Sequence, residues 1–149
     1  MNMSKYGKTF LLLLLMASFA AACSATTNRD NPSIGAAGKK EQGQFTNITV
    51  SELQAMLENK DFTFINVHEP YKGHIAQTDA FIPYDQIDQN LEMLPADKGA
   101  KIVLYCQGGN MSATAAEILA SIGYTNVYQL VGGFEEWRGA GLPLETQQP

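Results

Sequence analysis

The sequence predicts an α/β sandwich built on a mainly parallel sheet, and three features of its 149 residues carry that expectation. Short β-branched and aromatic stretches alternate with helical patterns, the arrangement that places helices over a parallel sheet. The run Lys101–Tyr105, "KIVLY", is continuously apolar after its first residue, as befits a strand covered on both faces. Beyond the glycines that follow, Ala115, Ile118, Leu119 and Ile122 recur at i, i+3, i+4 and i+7, and Gly123 supplies a C-terminal stop.

Taken in order, the chain opens with Lys5 and Lys8, an apolar run from Phe10 to Ala22 and then Cys23, the layout of an export signal. A membrane-spanning helix needs roughly 20 apolar residues, so this run is too short to stay in a bilayer as a span. Residues 1–22 are therefore expected to be removed. Small residues in "FAAAC" suit an ordinary signal peptidase. The same stretch resembles a bacterial lipoprotein signal, which implies cleavage before Cys23 and acylation of that cysteine, with Ala20 standing where that family more often has leucine. The expected address is the cell envelope, with the protein lipid-anchored and facing the periplasm or the cell exterior.

Residues 23–44 are rich in Ser, Thr, Asn, Gly and Lys, lack apolar periodicity and read as a flexible tether. Losing Lys5 and Lys8 leaves 8 basic residues against 15 acidic ones, a formal charge of −7 in place of −5, so nucleic acid is not an expected partner. With Cys23 acylated, Cys106 is the one remaining thiol, and no internal disulfide can form in the oxidising compartment that export implies.

The domain proper is expected over residues 45–145, with 146–149 as a tail. "FTNITV" from Phe45 has strand composition. "SELQAMLEN" follows, with Ser51 and Gln54 in capping-box spacing and Leu53, Met56 and Leu57 on one face. "FTFINV", Phe62–Val67, is a second strand leading into a polar loop with Glu69, Pro70, Gly73 and His74. Ala80–Ile87 gives a brief strand stopped by Pro83 and a short helical start. Asn126–Val131 is another strand, Gly132 and Gly133 a turn, and Phe134–Gly141 a last short helix.

Ligands of open α/β sheets bind beyond the carboxyl ends of strands, and Cys106 stands at such an end. Gly108 and Gly109 permit positive φ, so the amides of Gln107, Gly108, Gly109, Asn110, Met111 and Ser112 can turn inward. With the helix amino end they would welcome an anion or a thiolate. Burial as a small hydrophobe is the alternative reading of Cys106. Cys106 and Met111 would suit copper(I), but a clustered third ligand is missing from the sequence pattern, so no metal and no cofactor is expected.

The stretch "YCQGGNMSATAAEILASIGYTNVYQLVGGFEEW" resembles the active-site half of a rhodanese domain. "FINVHEPYKGHIAQTDAFIPYDQI" resembles that family's other signature, which runs Asp-Val-Arg-Glu, then Gly-His-Ile, then a small residue and an Ile-Pro strand. Together they cover most of Phe45–Leu144. The resemblance implies a three-layer α/β/α sandwich in which Cys106 takes a sulfane sulfur as a persulfide and hands it to a thiol, cyanide or another nucleophile. It also implies that Cys106–Met111 is a six-residue loop of the sulfurtransferase kind and that His74 has a structural hydrogen-bonding role. The expected partners are a small sulfur-containing donor, a thiol acceptor, a redox partner that keeps the exported thiol reduced, and the membrane itself.

Three positions depart from the family pattern: Met111 closes the loop where arginine is common, Asn66 replaces the strand-end aspartate, and His68 replaces the arginine after it. A charge-assisted hydrogen bond is worth about 1.5–3 kcal/mol, so loss of the loop arginine predicts one to two decades weaker binding of a dianion such as thiosulfate. A less charged persulfide or polysulfide is the expected donor. Phosphatase or arsenate reductase chemistry on the same fold leans on that arginine and on a loop one residue longer, and both features are missing here. The remaining rival is a catalytically quiet rhodanese-like binding module at the membrane surface.

Overall fold

A computed structural model describes residues 45–147; the signal segment, Cys23 and the whole of the expected tether lie outside the described residues. Five strands form one sheet: β1 (Thr46–Ile48), β2 (Thr63–Asn66), β3 (Ala80–Phe81), β4 (Ile102–Tyr105) and β5 (Val127–Leu130). Their order across the sheet is β1-β5-β4-β2-β3, and every neighbouring pair is parallel. The helices are α1 (Val50–Glu58), α2 (Asn110–Ser121) and α3 (Gly133–Gly139), and 3-10 turns span Tyr84–Gln89 and Leu91–Met93.

Alternation along β4 sorts its side chains to two cores, because successive strand residues face opposite ways. Ile102, Leu104 and Cys106 pack with Ala115, Ala116 and Leu119 of α2 and with Ile87 of the first 3-10 turn. Val103 and Tyr105 pack with Leu53 of α1 and with Phe134 and Trp137 of α3. The result is helix, sheet, helix, with β4 in the middle strand position and wholly buried. Tyr105 belongs to the second core, yet its hydroxyl meets Thr78 Oγ1 at 2.7 Å and accepts the Ile75 N–H at 3.0 Å. Burial pushes the phenol of Tyr105 well above its ordinary range, so it serves as a neutral tie to the loop after β2.

Two local expectations are corrected. The capping box of α1 is Thr49 with Glu52 instead of Ser51 with Gln54: Glu52 N–H donates to Thr49 Oγ1 and Thr49 N–H to Glu52 Oε2. Those groups satisfy the box two residues earlier, because Val50 already belongs to the helix. Helix α2 begins at Asn110, so Met111 and Ser112 lie in its first turn, and its buried stripe is Ser112, Ala115, Ala116 and Leu119. Ile122, expected on that stripe, is the helix C-cap and is exposed.

Candidate active site

Cys106 follows β4 directly, and the chain turns there into α2 through Gly109, whose φ of +99° is the left-handed conformation that glycine tolerates. That turn brings the Gly109 N–H to Cys106 Sγ at 3.0 Å, and the Ser112 hydroxyl lies 3.7 Å from the sulfur. The same hydroxyl lies 3.0 Å from Gly109 O and 2.9 Å from Gln129 Oε1. A hydroxyl has one proton, so these three acceptors compete for it.

From the other side α3 fixes the loop. Phe134 N–H donates to Cys106 O at 2.9 Å and Glu135 N–H to Gln107 O at 3.0 Å, which draws both carbonyls toward α3. Room for this comes from Gly133, where φ is +56° and an added Cβ would lie 2.1 Å from Cys106 O and 2.5 Å from Gln107 O.

Cys106 lines a cavity of about 250 Å³ together with His68, Gln107, Gly108, Asn110, Met111 and Glu135. At the rim, Gln107 joins two charges: its amide nitrogen donates to Glu135 Oε1, and Lys72 Nζ donates to its carbonyl at 2.9 Å. A larger cavity of about 420 Å³ is lined by Thr49, Ser51, Gln54, Val131 and Glu136; it holds no cysteine, and its two hydroxyls lie within the cap of α1, so the smaller cavity is the candidate site.

The remaining expected site residues divide sharply. Asn66, fully buried, accepts the His68 N–H at 3.0 Å and donates to Gly73 O at 3.0 Å. A carboxylate could accept the first bond but not give the second, which is the physical reason an amide fits here. His74 is tied at both ring nitrogens, Nδ1 to the Tyr71 hydroxyl at 2.7 Å and Nε2 to Glu145 Oε2 at 3.0 Å, and it pairs with Glu145 through the backbone. It staples the C-terminal segment and lies apart from the cavity lining. His68 lines the cavity with its ring edge-on to Phe134 at 5.4 Å, and burial, with Lys72 nearby, lowers its pKa while Glu135 partly opposes.

Sequence reasoning missed Gln129, Glu135 and Lys72. Gln129 had a visible signal: a polar residue within the apolar run of β5, buried at 6 % exposure and held by Asn47 through its amide nitrogen at 2.7 Å. Glu135 and Lys72 had none, since exposed charges beside a turn are ordinary.

The fold and the cysteine cradle define a class of protein, and comparison with known proteins names it. Residues 49–140 match the model of the rhodanese-like domain, and the chain belongs to that family. It is 32% identical over 104 residues to the thiosulfate sulfurtransferase GlpE of Vibrio cholerae, covering 68% of this chain and 96% of that protein. It is 31% identical over 107 residues to a tRNA uridine(34) hydroxylase of Erwinia tasmaniensis, covering 65% of this chain but only 31% of the hydroxylase. Among solved structures, a rhodanese-related protein from Thermoplasma volcanium superposes with a TM-score of 0.58 at 27% identity, over 68% of this chain and 98% of that one.

Proposed function

We propose that this protein is an exported, lipid-anchored sulfurtransferase or persulfide carrier. Cys106 accepts a sulfane sulfur from a small donor and passes it to an acceptor thiol. The observation that carries the reading is Cys106 at the end of β4, its sulfur receiving the Gly109 N–H at 3.0 Å and the residue lining a cavity of about 250 Å³. The kinship with a sulfurtransferase over nearly its whole length supports the same chemistry.

Met111 lines that cavity where many relatives carry arginine, which favours a persulfide over thiosulfate as donor. A thioether offers neither charge nor a donor hydrogen, so a dianion entering here lacks the compensation that a guanidinium would supply. Acylation of Cys23 and the tether 23–44 would hold the domain at the envelope surface, where a reducing partner protein would return Cys106 to the thiol.

A second reading, the quiet binding module, draws on the 2 % exposure of Cys106. Intact-mass measurement after incubation with glutathione persulfide or with thiosulfate separates the two. A carrier gains the mass of one sulfur atom on Cys106 and loses it on adding cyanide. A module gains nothing from either donor.

A further inference from the structure

His68 is a buried base without a partner. It is 5 % exposed, and neither ring nitrogen has a hydrogen-bond partner. A buried N–H or lone pair left unmet costs about 1–3 kcal/mol, and core histidines ordinarily avoid this, as His74 does here. The uncompensated ring lines the same cavity as Cys106.

Sheet register explains the placement. Asn66 pairs with Tyr105, and Val67 N–H donates to Tyr105 O at 2.8 Å, so β2 and β4 run in step to their last residues. By that register Cys106 stands beside Val67 and His68 lies one residue further on, on chains that a parallel sheet holds about 4.8 Å apart, and both line the cavity beyond the strand ends. The His68 backbone is held by Asn66 and its ring by Phe134. The Cβ–Cγ torsion of histidine is intrinsically broad, so the torsion itself does not oppose a small turn of the nitrogens toward a bound molecule.

Resting on the sulfur-transfer reading, we propose that His68 carries the proton of the reaction, taking it from the Cys106 thiol as the donor enters and giving it to the departing thiolate. Written out for a persulfide donor R–S–SH, the Cys106 thiol loses its proton to the imidazole. The sulfur's electron pair then forms a new S–S bond to the donor's outer sulfur. The donor's own S–S bond breaks with its pair leaving on R–S⁻, and the imidazolium protonates that thiolate to R–SH. The products are the Cys106 persulfide and R–SH, with His68 neutral again and no oxidant or reductant consumed.

The charged and titratable groups facing His68 fit a resting neutral base. Lys72 approaches from the loop after β2, Glu135 from α3, and Cys106 from the end of β4; burial and Lys72 disfavour the imidazolium, while Glu135 favours it. Lys72 and Glu135 are joined through Gln107, which leaves the imidazole as the cavity's uncommitted titratable base among the described residues.

The test is single-turnover formation of the Cys106 persulfide in the full chain, comparing wild type with His68→Leu and His68→Gln. The donors are glutathione persulfide and an aryl persulfide whose thiol is far more acidic. Both variants are expected to load sulfur from the glutathione donor roughly 100-fold more slowly, and to lose the wild-type rise in rate with pH that lies below the ordinary histidine range. The aryl donor, whose thiolate leaves unprotonated, should show a smaller loss. Circular dichroism identifies a variant that misfolds, and the wild-type pH profile then decides alone: a rate with no such rise overturns the proposal. Equal loading by wild type and folded variants, or equal losses with both donors, also overturns it while leaving sulfur transfer intact. Failure of wild type to load sulfur from either donor defeats both readings together.

Discussion

The two histidines of the loop after β2 make an instructive pair, equally buried and opposite in partnership. His74, 4 % exposed, meets Tyr71 and Glu145 at its two nitrogens and stitches the C-terminal segment to the domain. His68, 5 % exposed, meets nothing and lines the reactive cavity. Burial costs the same kind of desolvation at both sites. One region offsets it within the folded chain, so its histidine contributes stability. The other leaves the ring's hydrogen-bonding capacity open, and that capacity is free for whatever enters.

The most severe way to break the reactive region is Cys106→Ser, which should abolish sulfur loading from every donor in the intact-mass assay, because a hydroxyl cannot form the persulfide. Next is Gly133→Ala. Its Cβ would meet Cys106 O at 2.1 Å in a backbone conformation at φ +56°, so we expect a loss of more than about 3 kcal/mol in urea unfolding. Soluble variant should load sulfur poorly, since α3 can no longer hold the loop carbonyls.

The histidine pair itself is sharpened by parallel substitutions to leucine. His74→Leu should cost about 2–3 kcal/mol, because it strips partners from the Tyr71 hydroxyl and Glu145, while sulfur loading per folded molecule stays within about twofold. His68→Leu should leave stability unchanged or raise it, by up to about 1–3 kcal/mol, because no hydrogen bond is lost and two unmet nitrogens leave the interior. Met111→Arg should raise thiosulfate turnover by about 10- to 100-fold, with a smaller effect on a persulfide donor.

The smallest effect is on acid stability. His68 is held neutral in the folded chain, with its pKa below the ordinary value of 6.5. As pH falls through 6.5, the unfolded chain binds a proton that the folded ring resists, so stability declines down to the folded pKa and is unaffected above that window. The slope reaches at most about 1.4 kcal/mol per pH unit, and His68→Leu should flatten that part of the urea-midpoint profile.

Much of this arrangement was legible in the residues. "KIVLY" reads as a doubly covered strand because every residue after Lys101 is apolar, and all of Ile102–Tyr105 is buried in the middle of the sheet. The turn after Cys106 was legible in the glycine pair, although of the two only Gly109 takes the positive φ expected of both. The entry to α2 carries no apolar signature, because the repeat begins at Ala115 whereas the helix starts at Asn110, after a glycine in left-handed conformation. Ile122 fits the repeat but lies at the C-cap, where the helix has ceased to follow the sheet.

By itself the sequence determined what depends on neighbours along the chain: the alternation of strands and helices, the cysteine at a strand end, and the glycine loop closed by methionine. Only tertiary structure decided which histidine meets a partner and which lines the cavity with the cysteine, because His68 and Cys106 are separated by β3, both 3-10 turns and β4 and come to one cavity through the pairing of β2 with β4. The grip of α3 on the loop carbonyls likewise needed the fold. A hydrogen bond is a matter of distance in space, and composition or periodicity carries no record of distances between residues far apart in the chain.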